Sequence, residues 1–386
     1  MTSGSGRRGS TAAMSASLAT IALCYVGFPA YVLARSVVRP RPLRPGGAPV
    51  GTVSIVIAAH NEAASISATL DRIAAQQVDV DVEVVVASDG STDDTVAIAR
   101  RHPSRPTVLD LPRSGKAGAL NAAIDRVDSD IVVFTDANTR LGDGAIAAVL
   151  EPFSDPTVGG VAGDQRYGTR VSGTATSERD YWSYERTIKR WQHRGGSVTS
   201  STGALHAVRR VHLEPIPADV PDDFFISTGV RSDGARLAFA EDAVAWEEPN
   251  ERPEAEYRRR VRIITSGLTG VWRRRDLLDI RRHGDEALVF FLHKVVRRLV
   301  PIPMVVLFVA SARASAGSRI ARLLLGGQLA FYGAALVGTA APTSRLGRSP
   351  LVALPAHFCN ANIAAAHAIV NVVRGRAYTR WTPERS

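Results

Sequence analysis

Cysteine is almost absent from this chain. Cys24 and Cys359 are the only two in 386 residues, each inside an apolar run. They provide no disulfide framework and no Cys/His metal spacing, which is compatible with a soluble part facing a reducing compartment. Aromatic residues are also scarce, 6% against 45% hydrophobic overall, so the apolar content is mainly aliphatic. Acid is short of base: 37 Asp and Glu against 47 Lys and Arg leave a net charge of +10. Such an excess suits nucleic acid, an anionic membrane or an anionic substrate. Many of the arginines flank long apolar segments, which favours the membrane and disfavours nucleic acid as a partner. Two phosphate-binding signatures are missing as well. No G-x-G-x-x-G follows the first strand-like run, which disfavours a dinucleotide-binding fold. Ser114-Gly115-Lys116 fails the pattern G-x-x-x-x-G-K-[ST] at both ends, with Asp110 and Ala117 in the outer positions.

Long apolar segments are present at both ends. Ser15 to Ala34 runs without a charge, and about 20 such residues suffice to cross a bilayer. A cleaved signal peptide is the alternative, since Arg7 and Arg8 precede it. Its length, Pro29, and the immediate Arg35, Arg39, Arg41 and Arg44 favour a retained span with residue 35 onward in the cytoplasm. Near the other end, Leu299–Ala312 is short and carries Pro301 and Pro303, so it spans only with its neighbours or is re-entrant. Leu323–Ala341 and Leu351–Val373 are long enough to cross. Three C-terminal crossings would leave Arg374, Arg376 and Arg380 outside, against the charge rule; the expectation is two to three. The chain therefore divides into a tail (1–14), a span (15–34) and a Pro/Gly/Arg-rich linker (35–50). A soluble domain (51–275), a basic interfacial segment (276–298), the C-terminal spans (299–373) and a tail (374–386) follow. Arg281, Arg282, Lys294, Arg297 and Arg298 suit a helix lying on anionic lipid heads. A multi-pass plasma-membrane protein with a cytoplasmic domain is the reading.

Within the domain, strands and helices alternate. The pattern predicts strands over Val53–Ala59, Val82–Ser88, Thr107–Leu111 and Ile131–Thr135, and helices over Ala63–Gln76, Asp93–Arg101 and Lys116–Val127. Continuous apolar strands between amphipathic helices imply an α/β fold whose mostly parallel sheet is covered on both faces. Ligands bind such sheets at the carboxyl ends of the strands. There the fourth strand ends in Asp136-Ala-Asn138, two oxygen-bearing side chains one residue apart. They suit a hard divalent ion, Mg²⁺ or Mn²⁺, that also takes phosphate oxygens; the bland alternative is a turn or helix cap. The second strand runs into Ser88-Asp89-Gly90-Ser-Thr-Asp93. Ser91 to Asp94 read as turn and cap, whereas Asp89 precedes the turn and is expected to point into the crevice.

These segments resemble family 2 glycosyltransferases. The likeness lies in Val53-Ser-Ile-Val-Ile-Ala-Ala-His-Asn-Glu62, Ser88 to Asp93, Gly115-Lys-Ala-Gly-Ala-Leu-Asn121 and Thr135-Asp-Ala-Asn-Thr139. Ser201-Thr-Gly-Ala-Leu-His-Ala207, Val220-Pro-Asp-Asp-Phe224, Tyr257-Arg-Arg-Arg-Val-Arg262 and Trp381-Thr-Pro-Glu-Arg385 resemble the membrane-bound branch of cellulose, hyaluronan and poly-N-acetylglucosamine synthases. The resemblance implies a GT-A-like nucleotide-diphospho-sugar transferase domain, with a nucleotide half (51–140) and an acceptor half (141–275). It places Ala59, Glu62, Asp89 and Lys116 by the nucleotide, and Asp136 and Asn138 at the divalent ion. Asn138 stands where the family's Asp-x-Asp has its second acid, which costs the ion one negative charge. Gly203, Ala204 and Asp222 would meet the acceptor, Asp223 would be the base of an inverting transfer, and Arg259 and Arg262 would meet the diphosphate. Asp222-Asp223 also reads as a helix start, and His206 as a core histidine. Where a processive synthase has Gln-x-x-Arg-Trp, this chain has Arg259-Arg-Val-Arg262-Ile263; the missing Trp puts long-chain polymerisation in doubt. The implied partners are a nucleotide-diphosphate sugar, a saccharide or lipid-linked acceptor and the bilayer. The alternatives are a polyprenyl-phosphate sugar synthase and a catalytically inactive nucleotide-sugar-binding scaffold.

Overall fold

The computed structural model describes residues 3–47, 50–168, 173–247 and 253–378. The expected Trp381–Arg385 motif lies outside them. Eight strands form one sheet: β1 (Val53–Ala59), β2 (Val82–Asp89), β3 (Thr107–Leu111), β4 (Ile131–Asp136), β5 (Arg140–Leu141), β6 (Val158–Tyr167), β7 (Leu205–Arg209) and β8 (Arg236–Glu247). Their order is β3-β2-β1-β4-β7-β6-β8-β5. β1, β2, β3 and β4 are mutually parallel where they pair, and β6 is parallel to β8. β7 runs antiparallel to both β4 and β6, and β5 antiparallel to β8.

Alternate residues of the central strands enter two separate cores. Ile55, Ile57, Ile131 and Val133 pack with Ile66, Leu70, Ile146 and Val149 on one face. Val56, Ala58, Val132 and Phe134 pack with Leu120, Ala123, Phe225 and Val230 on the other. This double burial is why the strands read as continuous apolar runs. Register aligns the carboxyl ends: Ala59 faces Ser88, and Ala58 faces Asp136. The polar exits of β1, β2 and β4 therefore share one edge.

The helices that follow β1 and β2 are shorter than the periodicity predicts, Ile66–Ala74 and Thr95–Arg101. Their leading residues are used in loop contacts instead. Asp93 accepts from the Thr95 N–H at 3.1 Å and from the Ala63 N–H at 3.1 Å, tying the two loops together.

Outside the sheet, helical residues Gly9–Val38 and Arg319–Ala340 are long and apolar enough to cross a membrane. Asp285–Leu299 and Pro301–Ala314, bent by 54° at Val300, make a third span if counted as one. Helix Pro350–Val373 has the length but not the hydropathy: His357, Asn360, Asn362, His367 and Asn371 interrupt it. It packs against Arg319–Ala340 on one side and against Pro253–Arg273 of the α/β unit on the other. The first helix begins well before residue 15 and continues past 34, so the linker without regular structure starts at Arg39. Arg35, expected among the membrane-flanking charges, is instead buried, 3.0 Å from Asp285 and hydrogen-bonded to Glu286. The 276–298 segment also differs from expectation. Short turns up to His283 give way to a helical run from Asp285 to Leu299, and two of its cations face protein. Arg297 pairs with Glu185, and Arg298 Nη1 donates to the Gly267 carbonyl at 2.8 Å, while Arg281 and Arg282 stay exposed.

Candidate active site

The strand exits open into a cavity of about 1360 Å³ whose wall includes Glu62, Lys116, Asp136, Asn138, Asp222 and Asp223. Lys116 is its electrostatic centre. The Lys116 Nζ lies 2.7 Å from Asp136 Oδ1 and 2.9 Å from Asp222 Oδ2, joining the two halves of the domain. Burial alone would lower the Lys116 pKa; the two carboxylates outweigh it and hold the ammonium well above its usual value.

Local sequence explains why Lys116 points there. Asp89 is fully buried, and its Oδ1 accepts from the backbone N–H of Ser114 at 2.6 Å and of Gly115 at 2.9 Å. Arg113 lies 3.2 Å from the other oxygen. Gly115, at a φ of 90°, then turns the chain into helix Lys116–Arg126. Asp89 thus corrects the sequence expectation: it holds the loop that aims Lys116 and does not itself face the cavity.

The two acids open helix Asp222–Ser232, with Pro221 as its N-cap. The Asp223 carbonyl accepts from Ser201 Oγ at 3.0 Å and Ser227 Oγ at 2.6 Å, and Ser227 Oγ accepts from the Ser201 N–H at 2.9 Å. This lacing sets the 199–203 loop against the helix start. The paired acids differ in charge state. Burial would raise Asp222, but the Lys116 ammonium holds it below the usual carboxylate range. Burial and the neighbouring Asp222 charge push Asp223 up to about 6. One acid is a fixed anion and the other is poised near neutrality, the division of labour that acid–base chemistry requires.

Gly203 also lies on this wall, where an added Cβ would come 3.3 Å from Asp136 Oδ2. Asn138 is exposed on the cavity wall. Two expected residues are not on it. Ala204 is buried in the core, its carbonyl accepting from Thr135 Oγ1 at 2.7 Å. Ala59 is buried at the end of β1 and only its neighbour Glu62, bonded by Ser65 Oγ at 2.5 Å, reaches the cavity. Ala59 ends β1 and Ala204 lies in the turn just before β7, and both side chains belong to the sheet core. His206 is buried and stacked on Phe134 at 5.0 Å, a core histidine whose pKa burial lowers to about 4.

Arg259 and Arg262 line the opposite wall. Arg259 donates to Tyr167 Oη at 3.1 Å and pairs with Glu256 at 3.4 Å and Glu247 at 3.8 Å. Gln165 Nε2 donates to Glu247 Oε2 at 2.6 Å. Gln165, Tyr167 and Glu247 were not foreseen, because they come from β6 and β8, which carry no motif. Ile263 is exposed at the cavity where an aromatic platform would have been. Among the described residues no group of three or more His, Cys, Asp or Glu is arranged to hold a metal ion. Asp136 and Asn138 supply two hard oxygen donors, and Gly203 leaves space over the second Asp136 oxygen. That set suits a divalent ion only where a ligand's phosphate oxygens complete it.

Comparison with known proteins agrees with this geometry. Residues 54–216 match the family "Glycosyl transferase family 2". The poly-beta-1,6-N-acetyl-D-glucosamine synthase of Staphylococcus aureus (strain COL) is 26% identical over 232 residues, 58% of this chain and 52% of that protein. The Staphylococcus epidermidis protein of the same name is 27% identical over 170 residues, 42% of this chain and 41% of that one. The chain thus spans about half the length of the curated relatives it matches. Among solved structures, the mannosyltransferase PcManGT from Pyrobaculum calidifontis, in complex with GDP-Man and Mn²⁺, superposes with a TM-score of 0.68. It is 24% identical, with 94% of this chain and 99% of that one covered. The fold is the mixed, mostly parallel GT-A-like sheet, and the cavity is built on its strand exits. Within the α/β unit, residues 54–216 carry the family 2 glycosyltransferase domain.

Proposed function

We propose that the protein transfers a sugar, with inversion, from a nucleotide-diphosphate donor to an acceptor hydroxyl, and that it does so while embedded in a membrane. The observation that carries the reading is Asp223, a half-buried carboxyl raised to about 6 in the same cavity as the Lys116–Asp136–Asp222 cluster. In such a transfer one carboxylate takes the proton of the attacking hydroxyl as the anomeric bond to the diphosphate breaks. Asp223 is assigned that role. Lys116, Arg259 and Arg262 are assigned to the diphosphate, whose negative charge grows as it leaves. Asp136 and Asn138 would hold a divalent ion that neutralises the same oxygens. Its oxygen donors and the space beside Gly203 support that assignment, and the solved mannosyltransferase of the same fold carries Mn²⁺ with its GDP-Man. The apolar helices Gly9–Val38 and Arg319–Ala340 support membrane insertion. Arg39, Arg41 and Arg44 after the first support a cytoplasmic catalytic unit. Exposed Ile263 in place of Trp supports transfer of few sugars over long-chain polymerisation.

The test is a panel of nucleotide sugars with purified protein and Mn²⁺ or Mg²⁺, reading released nucleoside diphosphate. One donor should be turned over, and a chelator should abolish the turnover. Asp223→Asn should lower transfer to a hydroxyl acceptor by a factor of about 10² or more while leaving nucleotide affinity near normal. A variant of near-normal rate would remove Asp223 as base. In that case the two acids only start a helix, where Asn serves as well as Asp.

A further inference from the structure

We infer that the acceptor is carried on a lipid whose phosphate binds between Lys189 and Lys294. The inference rests on the glycosyl-transfer reading for the donor end of the cavity and names what occupies the other end. Lys189, from helix Gly173–Gly195, and Lys294, from Phe291–Val296, line the same cavity as Asp223. Each ammonium faces an aromatic ring: Lys189 Nζ is 5.7 Å from the centroid of Phe239, and Lys294 Nζ is 6.0 Å from that of Phe224. Among the described residues, neither has a hydrogen bond or an ion pair. The nearby acid Glu185 is already engaged by Arg297 and, at 3.4 Å, by His293. Burial pushes the Lys189 ammonium below its usual value, a shift that a bound anion would reverse. Glu185, Asp164 and Asp223 act on Lys189 without offsetting its burial, so two half-buried cations turned toward a cavity without a direct ion pair point to an anion supplied from outside.

The same cavity also carries a cluster of apolar and aromatic residues, with His357 and Asn362 among them. Tyr25 comes from Gly9–Val38, Phe331 from Arg319–Ala340, and Leu354 and Phe358 from Pro350–Val373. Their rings meet at 5.2 Å (Tyr25–Phe358) and 5.6 Å (Phe331–Phe358). The helices that supply them include both that are apolar enough to cross a membrane. The cavity, about 1360 Å³, exceeds the roughly 300–1,000 Å³ of ordinary small-molecule pockets, leaving room for a donor and an amphiphile together. A soluble phosphate would match the lysines and leave the aromatic wall bare. A neutral glycan would leave the lysines without a direct ion-pair partner. A lipid phosphate satisfies both.

The test uses the full chain in detergent with three probes: farnesyl phosphate, farnesol and inorganic phosphate. Binding of UDP and GDP with Mn²⁺ is measured on the same samples. Farnesyl phosphate should bind at least about tenfold more tightly than either control, the scale of one charge-assisted contact. The double variant Lys189→Gln/Lys294→Gln should lose about tenfold or more of that affinity. Its melting temperature without ligand should not fall, and its nucleotide affinity should stay within about twofold. Lys294→Arg, which keeps the charge, should retain binding. Equal binding of farnesol or inorganic phosphate, or a double variant that binds like the parent, overturns the inference. Nucleotide binding without lipid-phosphate binding would sink this inference alone. Lipid-phosphate binding without nucleotide binding would leave it standing and sink the donor assignment.

Discussion

Asp223 shares its end of the cavity with a second carboxylate and the Lys116 ammonium, and that balance sets a measurable pH dependence. A base must be unprotonated to act, so kcat/KM should rise with pH through a midpoint of about 6 and level off above it. The direction follows from burial and the Asp222 charge, both of which favour the protonated acid at Asp223. Lys116 opposes them. In Lys116→Met the opposing ammonium is gone, and the upper apparent pKa of the Asp222–Asp223 pair should move up by about one pH unit or more. A midpoint that stays near 6, or moves down, would show that Lys116 does not act on the pair. His206 cannot mimic the profile: its pKa is lowered to about 4 and it is sealed in the core.

At the scale of elements, the site depends on where strands break register. β6 and β8 slip against each other between Ala162 and Asp164, and the residue in between is Gly163. A Cβ there would fall 2.9 Å from the carbonyl oxygens of both Ala243 and Leu205. No flexible side chain can give way, because both neighbours are backbone. Bulges of this kind re-aim the residues that follow. Here those are Gln165 and Tyr167, which hold Glu247 and Arg259 in the cavity wall. Gly163→Ala should therefore cost about 1–3 kcal/mol of stability, seen as a lower melting temperature, and should weaken donor turnover through the displaced wall. Gly144→Ala is not a neutral control, since that glycine has a φ of 70°; Gly326→Ala is, since it lies in a helix with open space at its Cβ. A Gly163→Ala protein that melts with the parent would mean that the bulge is not under this constraint.

For the whole molecule, the decisive property is which side of a membrane the α/β unit faces. Asp128 is fully exposed on that unit and is not among the residues that line the cavity. Asp128→Cys, in a background with Cys24 and Cys359 replaced by Ser, should resist membrane-impermeant thiol reagents in intact cells and react after lysis. Labelling from outside would overturn the cytoplasmic placement and, with it, access to activated sugar donors. The Arg35–Asp285–Glu286 cluster, built on the buried Arg35, fixes the N-terminal helix to the bent pair that follows the α/β unit. Orientation of the first helix therefore constrains the rest of the chain.

The strands of the nucleotide half were legible in the sequence. Val53–Ala59 reads from its pattern because a strand buried on both faces leaves a nearly continuous apolar run ending at a polar exit. Thr107–Leu111, at the sheet edge with Asp110 exposed, reads instead from its β-branched and aliphatic residues. Asp136, Lys116, Asp222 and Asp223 were placed near one another only through the family resemblance; spacing alone leaves each as a cap or turn. The structure decided what no linear pattern encodes. It set Lys116 between two acids, turned Asp89 inward and put Ala59 and Ala204 in the core. It also brought Gln165, Glu247, Lys189 and Lys294 to the cavity from four separate elements. Strand periodicity is a local property that the sequence by itself determined. Charge state and cavity membership depend on which distant groups share a low-dielectric space, and only the tertiary structure determines that.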